Sequence, residues 1–588
     1  MKQVIQESLG SVWTNRKVYI KSLLLLTVIQ GILFLPVLGI LFNQILHVAG
    51  LQSITETTLL SVLMNPLAVI LLILLALLAI ITIVFEMGFF FLLAHFLSQK
   101  QQITFKQILI GLSGKLGSFI SFQLILFLIY FVLLLPLASI GLQSMVTESL
   151  RLPYFIADEL FKSTTGTIIY LVALLGVFYI SMRLIFTLPI FILERETSML
   201  EGMKKSWLIS KGQSLKNILV LASILVLYHL LLGGAGLILV IPIFLIEKVS
   251  LTLAPWVAGI MLTIIQAMFV MSFGLLQAMM AETIIRLGDL NEGTRLGISE
   301  AHIDLLPKRL TLLTKIGLTV VMIVAALGNI MTMREGIYAP ATVIIAHRGE
   351  TSQAIENTLT ALIAAADIKA DYVELDVMET KDKGLVVFHD DTLRRLANRN
   401  DAIKDLTLAE INEVVLSNGG LTDRIPTLAE FIDVAKEHQI NLLIEIKLHG
   451  NESTEMVQNV VKLMNEKGVA NKYLVQSLDG NVVSEVKQLE PAIKTGYLVA
   501  LNIGNLPSIP ADFLVLEDFS VNQRLLDQAK AQNKTVFVWT VNRENLMRQY
   551  LRMNIDGMIT NQPKRAIELR QSFEEDRGFG QRVRELMD

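Results

Sequence analysis

The sequence predicts two units in series: an α-helical bundle of about seven membrane spans over residues 1–335, then an α/β barrel of the (β/α)₈ type over 336–588. Three observations predict this. First, 53% of the 588 residues are hydrophobic and 18% are charged, whereas soluble domains carry roughly 25% charged residues. Second, the apolar residues gather before about residue 333 in long runs. Third, strand-like and helical segments then alternate at ordinary charge density up to the C-terminus. The formal net charge of −3 offers no polyanion-binding surface, so nucleic acid is not an expected partner. With no cysteine, disulfides, thiolate metal sites and a cysteine nucleophile are excluded, and cysteine usage says nothing of the redox compartment.

A spanning helix takes roughly 20 apolar residues. Seven segments qualify: about 22–42, 67–97, 117–142, 164–193, 217–245, 255–286 and 315–333. Several run past 25 residues, which predicts tilt or partial burial within the bundle. Segment 1–18, with Trp13 ahead of Tyr19, reads as an interfacial helix leading into the first span. No small-residue cleavage site follows the first apolar run, so a cleaved leader is not expected.

Loop charge predicts the orientation. Sixteen Lys and Arg lie in the N-terminal segment and the even-numbered loops, against Arg151, Lys162 and Lys248 in the alternate loops. Positive loops stay in the cytoplasm. Seven spans then place the N-terminus inside and the C-terminal barrel outside a cell membrane.

Few polar residues fall within the spans: Glu86, His95, Arg183, His229, Gln266, Glu282 and Arg286. Glu282, Arg286 and His95 lie near helix ends and are expected to snorkel. Glu86 and Arg183 lie deeper and are expected to pair structurally within the bundle. Matching halves with Gly- or Pro-broken segments, the mark of a transporter repeat, are not seen.

In the second unit, strands are predicted at 342–349, 372–380, 442–448, 473–479, 494–500, 512–519, 535–541 and 556–562. Continuous β-branched runs between helices indicate parallel strands buried on both faces. Eight such units in one domain fit a closed barrel. An extra short strand, 385–391, is expected to end in a loop over the barrel mouth. An open doubly wound sheet is the alternative, but its Gly-rich dinucleotide loop is missing.

The chemically active residues cluster at the C-terminal ends of these strands, which form the functional face of such a barrel. His347 and Arg348 end the first strand, Glu374 and Asp376 lie on the second, and His389 follows. Glu445 and Lys447 lie on the third strand, Gln476 on the fourth and Trp539 on the seventh. Spacing of two puts each charged pair on the same side of its strand. Charges facing a barrel interior are costly unless they bind something. Three carboxylates without cysteine favour a hard cation, Ca²⁺ or Mg²⁺, over zinc. Such a cation with Arg348 and Lys447 suits a phosphate. Two imidazoles can act as general base and general acid. The set favours a phosphodiester hydrolase over an aldolase or isomerase. A Schiff-base role for Lys447 leaves both histidines and the arginine without a task.

The stretch AHRGETSQAIENTLTALIAAA, then DYVELDVMETKDKGLVVFHDDTLRR, closely resembles glycerophosphodiester phosphodiesterases. The likeness continues in order through IPTLAEFI, LLIEIK, YLVQSLD, VFVWTVN and DGMITNQP, covering the whole barrel. The N-terminal part resembles the membrane domain that precedes such barrels in Gram-positive bacteria. The resemblance implies hydrolysis of a glycerophosphodiester to an alcohol and glycerol 3-phosphate. It makes His347 and His389 the acid/base pair, and Glu374, Asp376 and Glu445 the holders of the cation. It gives phosphate to Arg348 and Lys447, the glycerol-pocket wall to Trp539, and support of the site to Glu356. Three positions depart from the family pattern: Ile355 for a common proline, Asn561 for a common aspartate, and Lys383 within an Asp-Gly turn. None removes a proposed catalytic group. Attack by water and attack by the adjacent glycerol hydroxyl, through a cyclic phosphate, both suit these residues. The expected partners are a glycerophosphodiester or lipid-derived substrate and membrane lipid. Two other readings remain at this stage: a phospholipase-D-like enzyme acting on a lysolipid or glycerol-phosphate polymer presented by the membrane unit, and a glycerophosphate-binding membrane protein without activity. The sequence carries no signal for an oligomeric state.

Overall fold

The computed structural model describes residues 1–99, 105–119, 121, 123–137, 164–290, 308–335, 341–449, 452–507, 509–574 and 578–585. Among the described residues, six helices are long and apolar enough to cross a membrane: Arg16–Ala49, Pro66–Ser98, Thr164–Leu193, Ser214–Val249, Ala254–Leu287 and Lys315–Arg334. A bent pair, Phe105–Phe119 with Gln123–Leu134, makes a seventh candidate.

That pair differs from the expected straight span over 117–142. It starts earlier and turns by 109°. Gly114, Gly117, Ser118 and Ser121 crowd the bend. Glycine and serine hold a helix weakly, and the Ser121 hydroxyl turns back onto the Ser118 carbonyl. Residues 138–142 of the expected span, and loop charges Lys100, Arg151, Lys162 and Arg295, lie outside the described residues. The first span is longer than expected and contains a π-helical turn, Gln30–Phe34, where the Leu35 N–H reaches back to the Gln30 carbonyl. Pro36, just beyond, lacks the N–H that a regular turn needs.

The polar residues of the bundle are tied down by hydrogen bonds. Glu86 accepts from Gln30 Nε2 at 2.7 Å and Gln277 Nε2 at 3.2 Å. Arg183 donates to Ser210 Oγ at 2.9 Å and lies over the Trp207 ring at 4.2 Å. The snorkelling expectation fails for Glu282 and His95, which are 0% and 1% exposed. Glu282 accepts from Ser11 Oγ at 2.6 Å and Tyr19 hydroxyl at 3.0 Å. The cause lies 271 residues away: the N-terminal helix Lys2–Thr14 packs over this helix end. Arg286 there pairs with Glu7 and Glu282.

The second unit is a closed barrel. Its eight parallel strands are β1 (Val343–His347), β2 (Tyr372–Glu379), β3 (Asn441–Ile446), β4 (Leu474–Ser477), β5 (Lys494–Val499), β6 (Phe513–Glu517), β7 (Thr535–Trp539) and β8 (Gly557–Thr560). They pair in sequence order, and β8 closes onto β1. The open-sheet alternative is thereby excluded. Ile345, Leu443, Leu474, Leu498, Phe513, Val515, Phe537 and Ile559 fill the interior. A larger apolar layer lies between the strands and the outer helices, as Val373, Leu375 and Ile444 against Leu362, Phe431 and Val460 illustrate. Helix starts are set by side-chain caps, including Thr358 before Leu359–Asp367 and a Thr427–Glu430 capping box.

The expected extra strand is Leu385–Val387, antiparallel to the end of β2. Beyond it, residues 388–425 build their own small core around Phe388, Leu396, Ile411 and Ile425. This region includes an unforeseen hairpin, Val415–Asn418 with Leu421–Arg424. The Asn418-Gly419-Gly420 turn is its sequence signal.

Among the described residues, the two units touch at two places. Ser53–Thr55, in the turn after the first span, pairs antiparallel with Asn502–Gly504 beyond β5. Glu247, near the end of the Ser214–Val249 helix, accepts from the Phe579 N–H at 3.1 Å, ahead of the C-terminal helix Phe579–Glu585.

Candidate active site

The barrel residues proposed from the sequence for catalysis, metal and substrate meet at one cavity of about 710 Å³ at the C-terminal ends of the strands. His347, Arg348, Glu356, Glu374, Asp376, His389, Glu445, Lys447, Gln476 and Trp539 line it, with Leu498, Ile559, Thr540 and Asn561 completing its walls.

The backbone at the end of β1 makes this convergence possible. Arg348 and Gly349 both have positive φ, 60° and 94°. A Cβ at Gly349 would lie 2.7 Å from Ala361 Cβ, so only glycine lets this turn pack on the Leu359–Asp367 helix. The turn sends the Arg348 side chain back across the barrel mouth. Its Nη1 donates to Glu356 Oε1 at 2.8 Å, and its Nε lies 3.3 Å from Asp376 Oδ2. Its backbone N–H donates to Glu374 Oε2 at 3.2 Å.

Alternation along β2 places Glu374 and Asp376 on the cavity side, and β3 beside it adds Glu445 in register with Asp376. One oxygen from each carboxylate lies within 4.8 Å of the others, and all three groups are buried. Lys447 Nζ reaches Asp376 Oδ1 at 3.2 Å, Asn357 Nδ2 reaches Asp376 Oδ2 at 2.8 Å, and Gln476 Nε2 reaches Glu445 Oε2 at 3.1 Å.

Burial first, then the negative charges of Asp376 and Glu445, raise Glu374 well above the usual carboxylate range. Glu445 is raised chiefly by burial, with Lys447 opposing. Asp376 goes the other way: burial is outweighed by Lys447, His389 and Arg348, which hold it ionised. Lys447 is raised because Asp376 and Glu445 outweigh its burial. Glu356, despite burial, is held down at about 2 by Arg395 and Arg348.

The two histidines have unlike supports. His347 Nδ1 donates to the neutral Asn561 Oδ1 at 2.5 Å, leaving Nε2 as the free nitrogen, 3.9 Å from Glu374 Oε2. Burial and then Arg348 push its pKa down to about 3. His389 Nδ1 donates to the Asp390 carboxylate at 2.8 Å. Arg395 in turn holds Asp390 and Glu356. Burial lowers His389, and Asp376 and Asp390 oppose that shift. Sequence reading assigned no role to Asn357, Asp390 or Arg395, and noted Asn561 only as a departure. Asp390 adjoins His389 in the chain, which was an available signal. Arg395 lies five residues from Asp390 but 39 from Glu356, and Asn357 and Asn561 sit 19 and 214 residues from their partners.

An oxygen-only donor set beside two cationic side chains and two imidazoles can bind a divalent cation and a phosphate side by side. The membrane domain of glycerophosphoryl diester phosphodiesterase matches residues 5–328, and the glycerophosphoryl diester phosphodiesterase family matches residues 347–565. A glycerophosphodiester phosphodiesterase of Caldanaerobacter subterraneus is 30% identical over 39% of this chain and 97% of its own length. One from Bacillus altitudinis is 28% identical over 40% of this chain and 99% of its own. Among solved structures, an Oleispira antarctica phosphodiesterase in complex with sn-glycerol-3-phosphate is 25% identical, with a TM-score of 0.35, over 39% of this chain and 96% of its own. Matched across both units, the chain belongs to the glycerophosphoryl diester phosphodiesterase family and is a glycerophosphodiester phosphodiesterase carrying a membrane domain.

Proposed function

We propose that this chain hydrolyses glycerophosphodiesters at the outer face of the cell membrane, using Ca²⁺ or Mg²⁺ held by Glu374, Asp376 and Glu445, with the domain boundary at 335/336. The observation that carries the metal reading is the charge imbalance on the cavity floor. Three buried carboxylates lie within 4.8 Å and face two cationic side chains, Arg348 and Lys447. Arg348 is also shared with Glu356. The surplus negative charge and the all-oxygen donors fit a hard divalent ion. When bound, such an ion neutralises charge on the phosphoryl oxygens.

The chain's own residues do the rest. Arg348 and Lys447 hold the phosphate from its anionic side. Gln476 orients Glu445, Glu356 braces Arg348, and Trp539 walls the glycerol. His347, with Nδ1 engaged by a neutral amide, keeps an unprotonated Nε2 and serves as base toward the nucleophile. That nucleophile is water, or the neighbouring glycerol hydroxyl followed by water. His389 is anchored on a carboxylate that favours its protonated form, and gives a proton to the departing alcohol oxygen. The products are the free alcohol and glycerol 3-phosphate.

Sidedness rests on the sixteen-to-three loop charge bias and on chain parity. Counting the bent pair as a crossing gives seven. The turn at 50–58, the turn at 250–253 and the barrel then share one side, in keeping with the Ser53–Thr55 pairing and the Glu247–Phe579 hydrogen bond. The N-terminal helix and the end of the Ala254–Leu287 helix share the other, in keeping with Ser11–Glu282. Six crossings would put the turns at 50–58 and 250–253 on opposite sides while both touch the barrel unit. A cysteine at the exposed Asn400, in a chain otherwise without one, is expected to react with a membrane-impermeant maleimide on intact cells. Labelling only after lysis would place the barrel inside.

A further inference from the structure

The segment Gln52–Thr58 is short, polar and β-branched, and it lies between two long apolar helices. Ser53, Ile54 and Thr55 are buried against the barrel unit although they belong to the membrane unit. Ser53 pairs with Gly504, Ile54 with Ile503 and Thr55 with Asn502. The Asn505 N–H adds a bond to the Gln52 carbonyl at 3.3 Å, and the Leu501 N–H donates to Glu56 Oε2 at 2.9 Å. Gly504 is needed for this approach. Its φ is 126°, and a Cβ there would stand 3.2 Å from both the Gln52 carbonyl oxygen and Ser53 Cα.

This docking carries Thr57 to the barrel mouth, where it faces the same cavity as Tyr497. This second cavity measures about 680 Å³. That cavity shares Glu445, Lys447 and Leu478 with the active-site cavity. A phosphodiester has two arms. With phosphate at Lys447, one arm enters the cavity walled by Trp539, and the other has the second cavity to occupy. Beside Ile446, Leu448 and Leu478, the second cavity presents Thr57, Ser477, Asp479, Asn481 and Tyr497. Their hydroxyl, amide and carboxylate groups would lose water without a partner against an acyl chain, whereas the hydroxyls of an alcohol pair with them. Apart from the His449 imidazole, Tyr497 is the one aromatic ring among its described lining residues, whereas quaternary ammonium groups are recognised by cages of several Trp, Tyr or Phe rings.

We propose that residues 52–58 of the membrane unit form one wall of the leaving-alcohol pocket, and that this pocket takes an uncharged, hydroxyl-bearing alcohol such as a glycerol unit. The proposal rests on the hydrolytic reading of the adjacent site. It makes the membrane unit a determinant of substrate choice as well as an anchor.

The test uses the full chain in detergent and three diesters: glycerophosphoglycerol, glycerophosphocholine and the methyl ester of glycerol 3-phosphate. In wild type, kcat/KM is expected to favour the glycerol diester over the methyl ester by about tenfold, the scale of one or two good hydrogen bonds. Thr57→Val should narrow that ratio about threefold, and Thr57→Ser should restore it. Gly504→Val, which displaces the whole strand, should narrow it further. An unchanged ratio, an equal loss on all substrates, or a wild-type preference for the choline diester each overturns the proposal while leaving the hydrolytic reading intact. Wild-type inactivity on all three diesters overturns both.

Discussion

Glu374→Gln and Glu445→Gln are each expected to lower kcat by about 10²–10³-fold, and excess chelator to do the same to the wild type, if the proposed cation contributes the several kcal/mol typical of a catalytic metal, each 1.4 kcal/mol being tenfold. Glutamine keeps the shape and one acceptor oxygen, so Gln476 retains a partner at position 445. Each substitution also removes one of three mutually repelling carboxylates, so the fold is expected to persist. The pH dependence has a definite sign. Burial and the neighbouring negative charges raise both Glu374 and Glu445, so protons compete for them at higher pH than for ordinary carboxylates. The cation concentration that gives half-maximal rate should therefore rise as pH falls through those raised values. Activity titrated against free Ca²⁺ and Mg²⁺ at several pH values measures this. Full activity in chelator would remove the cation from the account.

The second large effect separates the histidines. A nitrophenolate leaving group needs no proton, whereas a natural alcohol does. His389→Ala should thus lose about 10²–10⁴-fold on the natural diester and far less on the nitrophenyl ester of glycerol 3-phosphate. His347→Ala should lose a similar factor on both. The asymmetry follows from the partners: Asn561 gives His347 a neutral anchor, and Asp390 gives His389 an anionic one. Because the two groups act in opposite protonation states, kcat/KM on the natural diester should follow a bell-shaped pH profile. His389→Ala should erase its alkaline limb. If both variants keep the wild-type ratio of the two activities, the division into base and acid is wrong.

The barrel was legible because parallel strands buried on both faces read as unbroken apolar runs, as at 343–346 and 513–516. The site was legible because side chains alternate along a strand. Glu374 and Asp376, two apart, had to face the same way, and Glu445 with Lys447 likewise. Partnerships made across space were not legible. Asn561 meets His347 from 214 residues away, and no local pattern announces such a pair. Glu282 looked like a helix-end carboxylate because its cover, Ser11 and Tyr19, lies at the other end of the membrane unit's sequence. The Ser53–Thr55 strand was invisible for two reasons. It is three residues long, and its partner strand lies more than 400 residues further along the chain. The bend between Phe119 and Gln123 was hidden by continuous hydropathy, which reports length but not direction.

Hydrolysis of glycerophosphoglycerol in H₂¹⁸O, followed by ³¹P NMR and mass spectrometry of the products, tests the central claim most directly. Attack at phosphorus breaks the bond to the departing alcohol, whether water attacks first or opens a cyclic phosphate. The account predicts glycerol 3-phosphate carrying one ¹⁸O on phosphorus and an unlabelled free alcohol, with both products lost in His347→Ala. Label in the free alcohol, or hydrolysis that yields no glycerol 3-phosphate, would contradict it.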